Sequence, residues 1–435
     1  MKTSGFRNKK VLIMGLGLHG GGVGAAAFFA RRGAQVRVTD LKSRRALAPS
    51  LEKLKGLPLR YHLGGHRESD FRWADIVIQN PGVRPDSPYI KIARDSGAVI
   101  DTDIGIFFAL CPTSEIVGVT GTKGKSTTAT LIAEILRAGI PSRRTLLAGN
   151  IRNSVLAELD RIKKDDIVVL ELSSWQLEGL ARHRVSPHVA VITSIFPDHL
   201  NRYVSMDDYV AAKKLIFAFQ SEDDHLFLPR SLTALAKGAP GCVHRAASAA
   251  GAKVSLPFPL RTPHYRIAVV LAAAVGNFYG VRQGIIGRVF KRFKGLEGRL
   301  EVVARHKGVT YINDTTATSP GAAVAALKCF ARRTTVLIAG GQDKALDVHE
   351  FVTELNRRAK AAVLLPGSAT DKIRGAGITV PYECVATMRE AVAHARQKAK
   401  RGDTVLLSPG AASFDSFAHE FDRGEQFRRE VLSYK

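Results

Sequence analysis

Cysteine is scarce and unpatterned. Four residues, Cys111, Cys242, Cys329 and Cys384, stand in a chain of 435 without any CxxC spacing, which excludes a zinc knuckle and a disulfide framework and suits a reducing cytoplasm. Uninterrupted apolar runs are also missing. The one stretch with the look of a leader or a membrane span, VLIMGLGLHGGGVGAAAFFA at 11–30, carries six glycines, so membrane insertion is not expected. Acidic residues are few beside basic ones, 39 against 64, leaving a formal charge of +25. Such a surface attracts polyanions, whether nucleic acid, an acidic membrane face or nucleotide-linked substrates. The cations come as scattered pairs, among them Arg31/Arg32, Arg143/Arg144 and Arg332/Arg333, without a basic tail or interleaved aromatics. That distribution reads as a solvated basic surface rather than a nucleic-acid groove.

What is present is material for about three domains of ordinary size, with 45% hydrophobic residues. The segment GVTGTKGKST at 118–127 follows an apolar run, EIVGVT, and precedes an amphipathic stretch, STTATLIAEILRAG at 126–139. The pattern predicts a strand, a glycine-rich turn and a helix. A turn of this kind aims the amides of Gly121, Thr122, Lys123 and Gly124 and the side chain of Lys125 at a polyphosphate. The helix dipole lies behind it, and Ser126 or Thr127 stands ready for Mg²⁺. Val119 occupies the place where the strict P-loop spacing requires glycine, leaving the shorter form GTKGKST. ATP or GTP is the expected ligand.

Toward the amino terminus, KKVLIMGLGLHG runs a strand into Gly15, Gly17 and Gly20, and the next strand, QVRVTD, ends in Asp40. This is the layout of a dinucleotide-type βαβ unit. Further strands at 75–83 and 98–104 place the end of a first domain near 106. Within 107–297, IVVLELSS, HVAVITSI and the helical stretch DDYVAAKKLIFAF continue the alternation, which predicts a parallel sheet with helices on both faces. Ligands of such sheets lie beyond the carboxyl ends of the strands. Glu171 and the pair Asp198-His199 are therefore candidate metal ligands. From 298 to 435 the sequence predicts a hairpin turning at His306–Gly308. Three apolar strands follow, TTVLIAGG, AAVLLPG and DTVLLSPG, each ending in a glycine turn. A domain of this size can act as a mobile closing element.

The motifs stand in one order: GLG, NPGV, GTKGKST, GN at 149–150, LELSSWQL, DHLNRY, AAK at 211–213, GRLE, IND at 312–314, GGQDK at 340–344 and SPGAASFD. This ordered set resembles the Mur ligase superfamily over essentially the full length. Within it, the set is most similar to the branch that adds glutamate to UDP-N-acetylmuramoyl-L-alanine. The resemblance implies an α/β protein of three domains: a Rossmann-like UDP-binding domain, a central P-loop-type ATPase domain with a mostly parallel sheet, and a Rossmann-like glutamate-binding domain. It also implies a cytoplasmic, monomeric ligase of peptidoglycan precursor synthesis that uses ATP to activate a carboxylate as an acyl phosphate, which the amino group of glutamate then attacks.

By the same resemblance Lys125 and the amides of 121–127 hold the phosphates, with Arg299 and Asp314 contributing to the ATP site. Ser126 and Glu171 take a first Mg²⁺, and His199 a second. Lys213 becomes a carbamate, which turns a cation that would repel Mg²⁺ into an anion that helps place it. Gly15, Gly17 and Gly20 face the UDP diphosphate, Asp40 the uracil side, Asn80 the nucleotide edge and Asn150 the sugar-linked portion. Thr316, Lys344, Ser413 and Phe421 define the glutamate pocket.

The chain departs from the family pattern at several points. His264-Tyr265-Arg266-Ile267-Ala268 stands where HNxxN is common, Thr316 where the D-glutamate ligases carry a lysine, and Asn201 where an acid is usual. The stretch ASFDSFAHEFDRG is one residue longer than the familiar form. D-glutamate is the expected amino acid, with L-glutamate as the alternative because Thr316 removes a cation from the pocket that reads stereochemistry. Rival readings are a folylpolyglutamate synthase or another Mur step, an NAD-dependent oxidoreductase, and a nucleotide switch that binds nucleic acid. The folate enzyme lacks the UDP-type first domain, and hydride transfer has no use for a phosphate loop with Glu171 and His199.

Overall fold

Among the described residues, short apolar strands alternating with helices build three sheets. The computed structural model describes residues 3–18, 20–84, 86–149, 154–196, 202–246, 256, 258–413 and 417–433. The first sheet holds β1 (Lys10–Met14), β2 (Gln35–Asp40), β3 (Leu59–Leu63), β4 (Ile76–Gln79) and β5 (Val99–Asp101) in the order β3-β2-β1-β4-β5, all parallel. The second holds β6 (Ile116–Thr120), β7 (Thr145–Gly149), β8 (Ile167–Glu171), β9 (Val189–Ile192), β10 (His225–Pro229) and β11 (Cys242–Ala246). Its order is β11-β10-β9-β6-β8-β7, again all parallel.

The third sheet is mixed. It holds β12 (Glu301–His306), β13 (Val309–Asn313), β14 (Thr335–Gly340), β15 (Ala359–Leu365), β16 (Tyr382–Cys384) and β17 (Thr404–Leu407) in the order β12-β13-β17-β14-β15-β16. The hairpin expected at His306–Gly308 is the antiparallel pair β12–β13. The remaining pairs are parallel.

The central strands β6, β8 and β9 are buried along their whole length, as parallel strands covered on both faces must be. Two compact units result: residues 1–254 with 267–290 carry the first two sheets, and residues 255–266 with 291–435 carry the third. Inside the first unit one apolar cluster runs from Phe6, Phe28 and Phe29 through Leu156 to Leu170 and Leu228. Gly24, in the helix Gly21–Arg31, permits this continuity, because a β-carbon there would fall 1.9 Å from Ser154 Oγ. The two sheets of this unit thereby share one core.

Candidate active site

The strand, glycine-rich turn and helix expected around 118–127 are present. β6 ends at Thr120, the chain turns through Gly121–Gly124, and the helix Lys125–Gly139 begins with Gly124 in the left-handed region at φ 87°. Gly121 has φ 145°, and a β-carbon on it would meet Thr193 Oγ1 at 2.0 Å. Only glycine fits that position. The turn is strapped to the end of β9. Thr122 N donates to Ser194 O (2.7 Å), Lys123 N to Ser194 Oγ (3.0 Å), and Thr193 Oγ1 to Lys123 O (2.6 Å). Phe196 N donates to Thr122 Oγ1 (3.0 Å). No side chain among the described residues caps the helix Lys125–Gly139, so its first-turn amides are available to an anion. Ser126 is half-buried and Thr127 buried in that turn.

Two lysines converge on the mouth of this loop. Lys125 Nζ donates to the carbonyls of Gly121 and Thr122, both at 3.0 Å. Lys213, in the last turn of the helix Met206–Lys214, is 2% exposed and donates from Nζ to the same Gly121 carbonyl at 3.0 Å, with the Tyr209 ring 4.6 Å away. Lys214 beside it is only half-buried. Glu171, 2% exposed, closes β8 between β6 and β7 at the same carboxyl end of the sheet. His199 and Asn150 lie outside the described residues.

At the first sheet Asp40 is buried and holds the glycine loop from below. Its Oδ2 accepts from Gly17 N (3.0 Å) and its Oδ1 from Lys42 N (2.8 Å). Asn80 Nδ2 donates to Gly15 O (3.1 Å), and Ser50 Oγ donates to Gly17 O (2.7 Å). Gly15, Gly17 and Gly20 have φ of 92°, 61° and 93°. Asp103 faces the same loop from the following helix: its Oδ2 would lie 3.3 Å from a β-carbon on Gly21, and burial raises its pKa to about 6. Arg202 ties the two sheets together, donating to Pro81 O (3.0 Å) and Glu178 (3.1 Å) while lying over Trp175. Tyr203 donates to the other Glu178 oxygen at 2.9 Å.

In the second unit Asp314 sits at the end of β13. It accepts from Leu300 N (3.1 Å) and Ser408 Oγ (2.8 Å), and burial lifts its pKa to about 7 against the pull of these bonds and of Arg299. Thr316 Oγ1 donates to Gly298 O (2.9 Å), and Lys344 Nζ to Thr318 Oγ1 (3.1 Å). Ser413 is 3% exposed and its hydroxyl has no hydrogen-bond partner among the described residues. Phe421 comes within 4.0 Å of a β-carbon placed on Gly298.

Arg423 joins these loops and was not singled out from the sequence. It is fully buried and donates to Thr315 Oγ1 (3.1 Å), Thr315 O (2.9 Å), Ala411 O (3.2 Å) and Ala412 O (3.4 Å). Burial lowers its pKa to about 10, which leaves it charged at neutral pH. Thr193, Ser194 and Arg202 were likewise missed. Short polar residues after a strand give no distinctive pattern.

Three family models match in order: the Mur ligase MurD-like N-terminal domain over 9–101, the Mur ligase middle domain over 119–246, and the Mur ligase glutamate ligase domain over 298–411. The UDP-N-acetylmuramoylalanine-D-glutamate ligase of Roseiflexus sp. (strain RS-1) is 42% identical, covering 98% of this chain and 99% of that one. The chain belongs to the Mur ligase family, in its MurD branch. The ligase of the same name from Borreliella afzelii (strain PKo) is 34% identical over 99% of both chains. Among solved structures, a UDP-N-acetylmuramate-alanine ligase from Thermotoga maritima aligns over 98% of this chain and 100% of its own with a TM-score of 0.65 at 18% identity. The MurF ligase of the same organism, solved with ADP, aligns over 100% and 97% with a TM-score of 0.59 at 16% identity. These two likenesses bear on the fold.

Proposed function

We propose that this chain joins D-glutamate to UDP-N-acetylmuramoyl-L-alanine at the expense of ATP, in peptidoglycan precursor synthesis. The observation that carries the reading is the convergence of Lys125 and Lys213 on the Gly121 carbonyl at the mouth of a phosphate loop. Forming an amide from a carboxylate in water is uphill, so the carboxylate is first phosphorylated. That step crowds negative charge, which preorganised cations and amides stabilise. The amides of Gly121, Thr122, Lys123 and Gly124, with Lys125 and the Ser126–Thr127 turn, cradle the triphosphate. Arg299 and Asp314 are also assigned to ATP binding.

The donor set fits Mg²⁺, since a buried carboxylate at Glu171 and a hydroxyl at Ser126 are hard oxygen ligands. Bound there, the ion neutralises phosphate charge. His199 and a carbamate on Lys213 are assigned to a second ion. Lys213 fits that modification in its burial and its bond: a carbamate keeps one N–H for the Gly121 carbonyl while its carboxylate supplies negative charge. CO₂ adds to the uncharged amine with loss of one proton.

Gly15, Gly17, Gly20, Asp40, Asn80 and Asn150 bind the UDP substrate. Thr316, Lys344, Ser413 and Phe421 bind glutamate. Domain limits are placed at 1–106, 107–297 and 298–435, and the working form is a cytoplasmic monomer. The test is a heavy-oxygen label in the carboxylate of UDP-N-acetylmuramoyl-L-alanine. One labelled atom should leave in the phosphate released with each amide formed. Release of unlabelled phosphate would exclude the acyl phosphate route.

A further inference from the structure

The formal charge of +25 is far more than the phosphate-binding residues use, and in the second unit the surplus has an address. Parallel strands β13, β17, β14 and β15 all begin at the end of their sheet opposite Asp314, Lys344 and Ser413. The turns that feed them carry Lys307, Lys400 with Arg401, and Arg332 with Arg333, and the last turn of the helix His349–Arg358 adds Arg357, six cations exposed to solvent. Backbone bonds weld these turns into one surface: Gly402 N to Gly308 O (2.9 Å), Thr404 N to Thr334 O (2.8 Å) and Arg333 N to Arg358 O (2.7 Å). At strand spacing the row is about 15 Å long and neighbouring turns stand about 5 Å apart, within a Debye length of about 8 Å, so adjacent charges act together.

The acids at this end are turned inward. Asp403 is 8% exposed and bonded to Lys360, and Glu354 is 8% exposed and bonded to Arg357 and Arg358. Helix C-termini favour cations only within their last turn. That accounts for Arg357, but not for Lys307, Arg332, Arg333, Lys400 and Arg401, which stand in connecting turns.

We infer that this face adsorbs to an anionic lipid surface, leaving the nucleotide-facing loops of the unit turned away from the bilayer. The make-up of these turns favours lipid over single-stranded nucleic acid, whose bases stack on aromatics set among the cations. The turns 307–308, 331–334 and 400–403 hold no aromatic residue.

The test uses the full chain, sedimented with phosphatidylcholine vesicles with and without phosphatidylglycerol, at about 0.05 M and about 0.3 M salt. A short DNA duplex is titrated in parallel. Binding is expected only to the anionic vesicles, weakening with salt and losing roughly fivefold per removed cation. The variant Lys307→Glu, Arg333→Glu, Lys400→Glu, Arg401→Glu should therefore lose at least a hundredfold, with ligase turnover unchanged. The control reverses four exposed lysines of the first unit: Lys53→Glu, Lys55→Glu, Lys91→Glu, Lys237→Glu. It should lose less than tenfold. Equal losses in the two variants, absence of vesicle binding, or tighter binding to DNA that depends on the same four residues would overturn the inference.

Discussion

Replacing Arg423 by methionine removes a guanidinium from a fully buried site and should expose what holds the loops assigned to glutamate. Two backbone carbonyls, those of Thr315 and Ala411, lose their donor, while Ala412 O keeps the bond from Gln342 N at 2.9 Å. Thr315 Oγ1 keeps its own bond to Glu420 O at 2.6 Å. Each orphaned buried carbonyl costs about 1–3 kcal/mol. Removing a desolvated charge returns several kcal/mol, and measured losses on breaking buried charged networks centre on about 3–5 kcal/mol. At about 2–4 °C per kcal/mol for a unit of this size, the melting transition of the second unit should fall by roughly 10 °C. Because Thr316 adjoins the unpinned Thr315 carbonyl, the KM for glutamate should rise at least tenfold, while the KM for ATP changes little. Arg423→Lys keeps the charge but not the fork, so it should recover stability only in part. Calorimetry and steady-state kinetics on both variants decide the matter. Loss of less than about 1 kcal/mol in Arg423→Met, with glutamate kinetics intact, would refute the reasoning.

Lys213→Ala should lose most activity, and short-chain carboxylic acids should restore part of it by standing in for the carbamate; unchanged activity would make Lys213 a structural helix residue. Lys125→Ala should abolish ATP turnover in a folded protein, checked by phosphate release beside circular dichroism. Lys344→Ala should raise the KM for glutamate far more than that for ATP, because Thr316 supplies no charge to share the load. Asp314 gives a pH dependence of stability. Its folded pKa of about 7 exceeds the unfolded 3.8, so the folded state binds the extra proton, and the stability this confers is full below about pH 4 and lost as pH rises through about 7. Asp314→Asn should therefore gain up to about 4 kcal/mol on wild type at pH 9 and nothing at pH 4. Denaturant titrations at the two pH values check it.

The phosphate loop was legible because its cause is local. An apolar run, glycines at positions of positive φ and a helical period occupy adjacent stretches of sequence, so β6, Gly121–Gly124 and the helix Lys125–Gly139 follow from reading them in order. The hairpin at His306–Gly308 and the glycine-ended strands β14, β15 and β17 were legible for the same reason. Strands β3, β7, β10, β11 and β16 were not singled out, being short and lacking clear punctuation. Lys213 could be preferred to Lys214 only through family register, and its burial against the Gly121 carbonyl is a tertiary fact. Arg423 stayed hidden because a helix as polar as Glu420–Ser433 gives no sign that one of its arginines points inward to backbone carbonyls 11 to 108 residues away.

The most direct test mixes the protein with ATP, UDP-N-acetylmuramoyl-L-alanine and, in separate reactions, each of a panel of amino acids including both enantiomers of glutamate, and follows phosphate release together with the mass of the nucleotide-linked product. D-glutamate should give stoichiometric phosphate and a product heavier by one glutamyl residue, with L-glutamate and the other amino acids near background. Turnover with L-glutamate in preference to D-glutamate, or phosphate release that no amino acid stimulates, would contradict the assignment.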